Sequence, residues 1–221
     1  MRRKCGGGIL RGMTRAFLAT YRPLCRTRAG QEAVARFGIP PYVDGSCRRE
    51  PDLEAQHPTI TALCRAGQFA PRLREGDHVV YITKKGRYGG AAPHWRLVAI
   101  LEVIERCKSH EEAAAWHRGR DLPLPRNLMI EGSSPAPLHE TDSIVPKSCG
   151  GAKDELAAWD AEYRERAQRW PMVLICDAKF RELHEPPVIE QSHLPGTRNP
   201  PQLRDELCEQ LRRLARVSFA P

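Results

Sequence analysis

The chain has 221 residues and a hydrophobic content of 41%, which is enough for the core of one large domain or of one domain with an appendage. It contains no apolar run of about eighteen residues, so we expect no membrane span. The N-terminus carries no apolar stretch of signal-peptide length, and we therefore expect a cytosolic protein. The formal net charge is +8 at pH 7, which favours a polyanionic partner.

The positive charge is concentrated near the N-terminus. Residues 1–49 contain eleven Lys or Arg against Glu32 and Asp44, so the rest of the chain is close to neutral. A basic segment beside a balanced body is typical of nucleic-acid-binding proteins, although an arginine-rich solvated surface has the same composition. We expect residues 1–14 to form a basic flexible leader. Residues 15–221 are expected to form one domain with a long 120–152 connection and a C-terminal helix.

Proline and glycine divide the first half of the chain into short elements. Gly38 and the following Pro40-Pro41 pair should end a short helix, and residues 59–66 fit a helix or a strand equally well. The predicted elements are, in order, a strand at 16–21, a helix at 31–37, irregular structure at 42–58 and strands at 78–83 and 95–104.

A basic, glycine-rich loop joins the last two of these strands. Such a loop, when it also carries an aromatic ring, can present a site for a polyanion with an exposed base, because cations hold phosphate and rings stack on bases. A plain solvated turn is the alternative, and tryptophans are often core residues. The candidate nucleic-acid-binding residues are Arg48, Arg49, Tyr81, Lys84, Lys85, Arg87, Tyr88 and Trp95.

The second half should contain three helices and one long strand. Ser109 precedes Glu112 by the spacing of a capping box, which predicts a helix that ends near Gly119. The predicted elements after it are a short strand at 127–130, a helix at 153–170 whose aromatic stripe packs on the sheet, a strand at 172–177 and an amphipathic helix that starts at Asn199. This order lacks the regular alternation of a doubly wound sheet. It favours an α+β fold with a small, mixed, barrel-like twisted sheet and helices packed outside.

No motif of an enzyme stands out, and we expect a protein without catalytic activity. The chain lacks a phosphate-binding loop of the P-loop type, a nucleophile elbow and a zinc-protease helix. Asp177 and Lys179 follow a predicted buried strand, an arrangement found in metal-dependent nucleases, but no second acid stands at a defensible spacing. A metal-dependent nuclease or a nucleotide-modifying enzyme that uses these two residues is therefore the alternative.

Cysteine usage favours reduced thiols over a metal site. The eight cysteines include no Cys-x-x-Cys pair, although structural zinc sites usually contain one. A set formed by Cys47, His57 and Cys64 is conceivable but weakly supported. We expect no metal and no cofactor, and we expect Cys107 and Cys176 to be small buried hydrophobes.

Several segments resemble one known family. They are AFLATYRP at 16–23, CRREP at 47–51, LREGDHVV at 73–80, the strand at 97–104 with SHEE at 109–112, and VLICDAKF at 173–180. Together they are similar to the nucleotide-modification-associated domains of the PUA, EVE and ASCH-like group. The resemblance implies a pseudo-barrel that binds a modified or flipped nucleobase in DNA or RNA, often within a modification or defence system. It also implies that Tyr81, Trp95 and the 84–88 loop lie at the barrel mouth.

These observations leave three hypotheses. The first is a nucleic-acid-binding module of the PUA/EVE-like kind, and the second is the enzyme that uses Asp177 and Lys179. The third is an interaction subunit whose two late helices dock a partner protein.

Overall fold

The computed structural model describes residues 15–90, 92–144, 150, 153–191, 193–197 and 199–216. The predicted leader at 1–14 lies outside the described residues. The strands are β1 (Ala16–Tyr21), β2 (Thr59–Thr61), β3 (His78–Thr83), β4 (Trp95–Cys107), β5 (Val173–Arg181) and β6 (Val188–Ile189), and the α-helices are α1 (Arg28–Phe37), α2 (His110–Arg118), α3 (Glu155–Arg169) and α4 (Asp205–Ala215).

The strands form one curled, mixed sheet. Their order is β1-β3-β4-β5-β2, and β6 pairs with the start of β4. β1 and β3 are parallel, whereas the other pairs are antiparallel. The register of β4 against β5 shifts twice along its length, and such bulges bend and twist a strand. The result is a half-barrel with four helices, which confirms the expected α+β, barrel-like class.

Both faces of the sheet are buried. In β1, Phe17, Ala19 and Tyr21 join one apolar cluster, while Ala16 and Leu18 join another, as the two-residue period of a strand requires. The second cluster contains Leu211 of α4, so the terminal helix covers that face. No helix in the described part of the chain is long and apolar enough to cross a membrane.

The strands predicted at 16–21 and 78–83 are confirmed to the residue, and helix α2 is confirmed with its cap. The Ser109 hydroxyl accepts a hydrogen bond from Glu112 N at 3.2 Å, and the Glu112 carboxylate accepts one from Lys108 N at 2.6 Å. Cys107 and Cys176 are buried as expected. Residues 59–66 contain both alternatives, namely strand β2 and a short 3-10 turn that begins at Cys64.

Two predictions of secondary structure are wrong. Residues 127–130 form no strand, and the last helix begins at Asp205 rather than at Asn199. The segment before it is extended beside β1, where Leu18 N donates to Pro201 O at 3.0 Å and Leu203 N donates to Ala16 O at 2.7 Å. These bonds satisfy backbone groups of an edge strand, so tertiary pairing prevails over the local helix signal.

The predicted packing of the α3 stripe on the sheet is confirmed only for Trp170, which follows the helix and packs against the sheet cluster. Tyr163 and Ala167 pack instead against Cys47, Leu63 and Met129, which all belong to connecting segments. This placement makes α3 one wall of a cavity at the open side of the half-barrel.

Candidate functional site

A cavity of about 560 Å³ lies where the curled sheet fails to close. β1 and β2 stand at opposite ends of the strand order, yet Tyr21 of β1 and Ile60 and Thr61 of β2 line the same cavity. Its volume falls in the range of small-molecule sites, about 300–1,000 Å³. The remaining walls come from the 44–51 loop, the 65–69 turn and α3, together with Arg22, Tyr81, Lys84, Asp142, Ile144 and Thr197.

Aromatic rings line one part of the cavity. Phe69, Tyr81, Trp159 and Tyr163 all contribute. The rings of Trp159 and Tyr163 lie 4.5 Å apart between centroids, and the Arg166 guanidinium lies 5.7 Å from the Trp159 centroid. Tyr81 and Tyr163 are buried, whereas Trp159 is only half-buried. Trp159 therefore retains ring surface for a planar ligand.

Cations gather at one side of the cavity. Arg22, Arg65 and Lys84 line it. Burial and the neighbouring Arg22, Arg26 and Arg65 guanidiniums lower the pKa of Lys84. Arg22 forms an ion pair with Asp142 at 2.9 Å. Within the described ranges, no carboxylate pairs with Arg26, Arg65 or Lys84. This cation group, Arg22, Arg26, Arg65 and Lys84, can bind an anion such as phosphate.

Two buried carboxyl groups, those of Asp44 and Glu50, belong to residues that line the same cavity. Burial raises the pKa of Asp44 to about 6 and that of Glu50 to about 7. Both Glu50 oxygens receive donors, from Thr61 N at 3.1 Å, Thr61 Oγ1 at 2.6 Å and Asn127 Nδ2 at 3.2 Å. These hydrogen bonds hold Glu50 in place and favour its charged form, but burial is the larger effect.

Arg48 and Arg49, predicted to clamp phosphate, are instead interior residues with 0% and 2% exposure. Arg48 donates from Nε to Asp160 Oδ1 of α3 at 2.6 Å and from Nη1 to Arg126 O at 3.2 Å. Arg49 donates from Nη1 to Asp44 O at 2.7 Å. Their guanidiniums thus connect the 44–51 loop to the rest of the fold. Because both residues are buried, a phosphate cannot reach them.

Of the other predicted residues, Tyr81 and Lys84 line the cavity, and Lys85, Arg87, Tyr88 and Trp95 do not. Tyr88 is buried, its ring packs against Tyr42 at 5.8 Å, and its hydroxyl donates to Lys84 O. Tyr88 is thus placed to support Lys84 rather than to stack on a base. The Lys85 ammonium lies 4.3 Å from the Trp95 ring centroid, outside the cavity.

Sequence reasoning missed the residues that complete the cavity. Trp159 and Tyr163 were visible as an aromatic stripe, but the stripe does not say which neighbour it faces. Arg22, Arg65 and Asp44 carried no signal beyond their charge. Their common position depends on the sheet's curl, which no local pattern encodes.

The predicted catalytic pair lies elsewhere. Asp177 Oδ1 lies 2.9 Å from His57 Nδ1, and Lys179 Nζ lies 2.5 Å from Glu102 Oε2. Glu102 stands opposite Asp177 in the β4–β5 ladder, so an acid is present across the strands. However, no group of three His, Cys, Asp or Glu side chains in the described segments is arranged to hold a metal ion, and none of these four residues lines the cavity.

Comparisons with known proteins give no relative. The chain matches no protein-family model, and no curated protein and no solved structure is significantly similar to it.

Replacement of Arg48 by alanine should destabilise the protein strongly. The change removes the buried donor to Asp160, the Arg126 carbonyl and Ser133, while Arg164 still pairs with Asp160. We expect a loss of about 2–3 kcal/mol of unfolding free energy. Urea unfolding measures this loss. Arg87→Ala, at an exposed position of the 84–90 loop, is the control and should change the unfolding free energy by no more than about 0.5 kcal/mol. Equal, small effects of both changes would contradict an anchoring role for Arg48.

The raised pKa of Glu50 predicts a specific pH dependence of stability. Between its usual acidic pKa and about 7, the folded state binds more protons than the unfolded state. The unfolding free energy therefore falls as pH rises through this window, by on the order of 1 kcal/mol per unit of pKa shift. Denaturant unfolding at several pH values should show a shallower fall for Glu50→Gln than for the wild type. Glu75→Gln, at an exposed turn, is the control; an identical slope in both variants would refute the assignment.

Proposed function

We propose that the chain is a nucleic-acid-binding module that holds a modified or flipped nucleobase in the cavity between β1 and β2. The observation that carries this proposal is the meeting of Arg22, Arg65 and Lys84 with a half-buried tryptophan in one open cavity. A polyanion with an extrudable aromatic base requires this pair of features, since cations hold the backbone and a ring stacks on the base.

The cation group supplies the phosphate contacts. Lys84 is exposed and Arg65 is half-buried, and neither is neutralised by a described carboxylate. The backbone of Lys84 is fixed, because Lys84 N donates to Tyr21 O at 2.9 Å, and the Arg65 guanidinium itself donates to Thr20 O at 3.1 Å. A guanidinium held in this way loses less conformational entropy when it binds an anion.

The fold supports the same proposal more weakly. A curled mixed half-barrel with helices is compatible with the PUA/EVE-like group, and the resembling segments at 16–23 and 73–80 form β1 and β3 beside the cavity. We therefore propose membership of that group together with a role in DNA or RNA modification or defence. Tyr81 and Lys84 are the residues that the resemblance and the cavity have in common.

Binding of short single-stranded oligonucleotides tests the phosphate contacts. Affinity should fall as salt rises, because phosphate contacts release counterions, and Lys84→Ala should reduce the slope of log K against log salt by about 0.7–0.9. Arg28→Ala removes the same charge from an exposed position on α1 and should leave that slope unchanged. An affinity that does not respond to salt would overturn the proposal.

Paired tryptophan variants locate the stacking site. If the base enters the cavity, Trp159→Ala should weaken oligonucleotide binding by about 1–3 kcal/mol, while Trp95→Ala should have a smaller effect. A larger loss of binding in Trp95→Ala than in Trp159→Ala would instead place the base at the basic loop that the sequence predicted. Circular dichroism of each variant separates loss of folding from loss of binding.

The enzyme alternative has its own readout. Cleavage of the oligonucleotide that depends on a divalent cation and is abolished by Asp177→Asn would favour the Asp177–Lys179 surface over the cavity. Intact oligonucleotide after incubation with Mg²⁺ would favour the binding module.

A further inference from the structure

Asp44 places a carboxyl group in the wall of the cavity. Asp44 is 7% exposed. Hydrogen bonds hold the backbone on both sides of it, because Leu24 N donates to Val43 O at 2.9 Å and Gly45 N donates to Arg22 O at 3.0 Å. These bonds join the 43–45 segment to the chain that leaves β1. The backbone position of Asp44 is thus fixed from both sides.

The two carboxyl oxygens of Asp44 have different surroundings. Oδ1 accepts hydrogen bonds from Ser46 N at 2.9 Å, from the Ser46 hydroxyl and from Glu50 N at 3.2 Å. No described residue donates to Oδ2. Three donors saturate Oδ1 and fix the plane of the carboxyl group, which leaves Oδ2 as the oxygen that a ligand in the cavity can reach.

Because the described residues supply no donor to Oδ2, a ligand or solvent in the cavity is what can hydrogen-bond to it. Asp142, the other aspartate of the cavity wall, shows the contrast. Its Oδ1 accepts from Ile144 N at 3.0 Å and its Oδ2 lies 2.9 Å from Arg22 Nε. Of the two aspartates in the cavity wall, Asp44 therefore has a carboxyl oxygen without a donor among the described residues, whereas both oxygens of Asp142 have partners.

We infer that Asp44 selects a base whose inserted edge presents an exocyclic amino group, as cytosine and adenine do, over a base with a carbonyl at that position. This inference rests on the proposed function and names the base class. An ionised carboxylate only accepts hydrogen bonds, and aspartate pairs with the amino group of cytosine in nucleic-acid recognition. A carbonyl at the same place would set two acceptors against each other and leave both unsatisfied.

Protonation should weaken this preference. Below about pH 6, where Asp44 takes up its proton, the three donors on Oδ1 direct that proton to Oδ2, which then donates. The charged groups around Asp44 are Arg49, which favours the ionised form, and Asp142, which opposes it. Glu50, Lys84, Tyr21 and Cys47 are further titratable groups that interact with Asp44. Glu50 titrates close by, so the pH response must be compared with that of an Asp44 variant.

The test uses oligonucleotides that differ at one central base, cytosine against uracil and adenine against hypoxanthine, with affinity measured by fluorescence anisotropy at constant salt. At about pH 8, the wild type should prefer the amino member of each pair about 10-fold or more. Asp44→Asn keeps a carbonyl for the three donors and presents an amide N–H to the cavity, so the order within each pair should reverse. Asp142→Asn, whose oxygens are both occupied, should alter both affinities together and leave their ratio unchanged.

The outcomes separate the inference from the proposed function. Equal affinity for both members of each pair, in the wild type and in Asp44→Asn, overturns the selection by Asp44 while the salt and Trp159 results still support base binding. Absence of binding to every oligonucleotide overturns both. If Asp44→Asn does not fold, the ratio at about pH 5 and at about pH 8 is measured in Glu50→Gln, which removes the neighbouring titration, and a ratio that does not change between them overturns the inference.

Discussion

The buried ion pair between Arg48 and Asp160 is the interaction on which the cavity depends. The Arg48 side chain is fully buried and reaches from the 44–51 loop to α3, so it joins two segments 112 residues apart in the chain. One of them carries Asp44 and Glu50, and the other carries Trp159 and Tyr163. A hydrophobic contact would tolerate sliding between these walls, whereas a guanidinium held by a carboxylate and by carbonyl oxygens fixes their relative position. The pair thus determines the width and chemistry of the site.

Some charged groups of the cavity have an ion-pair or hydrogen-bond partner in the protein and others do not, and this difference sets the electrostatics of the cavity. Asp142 neutralises Arg22, and the Thr61 and Asn127 donors occupy Glu50. Arg65 and Lys84 retain their charge without a described carboxylate, and Asp44 retains one oxygen without a donor. These groups remain available for contacts beside an aromatic wall. The cavity is therefore compatible with the ligand we propose, which has an anionic part and a hydrogen-bonding, planar part.

Local sequence patterns gave the elements but not the site. The apolar run at 78–83 and the Ser109 cap are encoded within a few residues, and both were predicted correctly. The burial of Arg48 depends on Asp160, Arg126 and Ser133, all far away in sequence, so charge alone made it look like a surface residue. The partners of α3 are also distant in sequence. Its aromatic stripe therefore predicted a buried face but not the loops that cover that face. The helix predicted to start at Asn199 does not form there, because residues 201–203 hydrogen-bond to the edge of β1 instead.

The main contribution of the 84–90 loop to the site is that its internal contacts hold the backbone of Lys84, whereas its other charged side chains lie outside the cavity. Tyr88 turns inward, packs on Tyr42 and donates to the Lys84 carbonyl, and Arg96 donates to the Tyr88 carbonyl at 3.2 Å. These contacts hold the first residue of the loop at the end of β3 while Lys85 and Arg87 remain exposed outside the cavity. A loop built in this way fixes the backbone position of one cation, which is compatible with the single phosphate beside an inserted base that we propose. In that proposal the additional surface charges act at longer range, where they would attract a polyanion and be screened by salt.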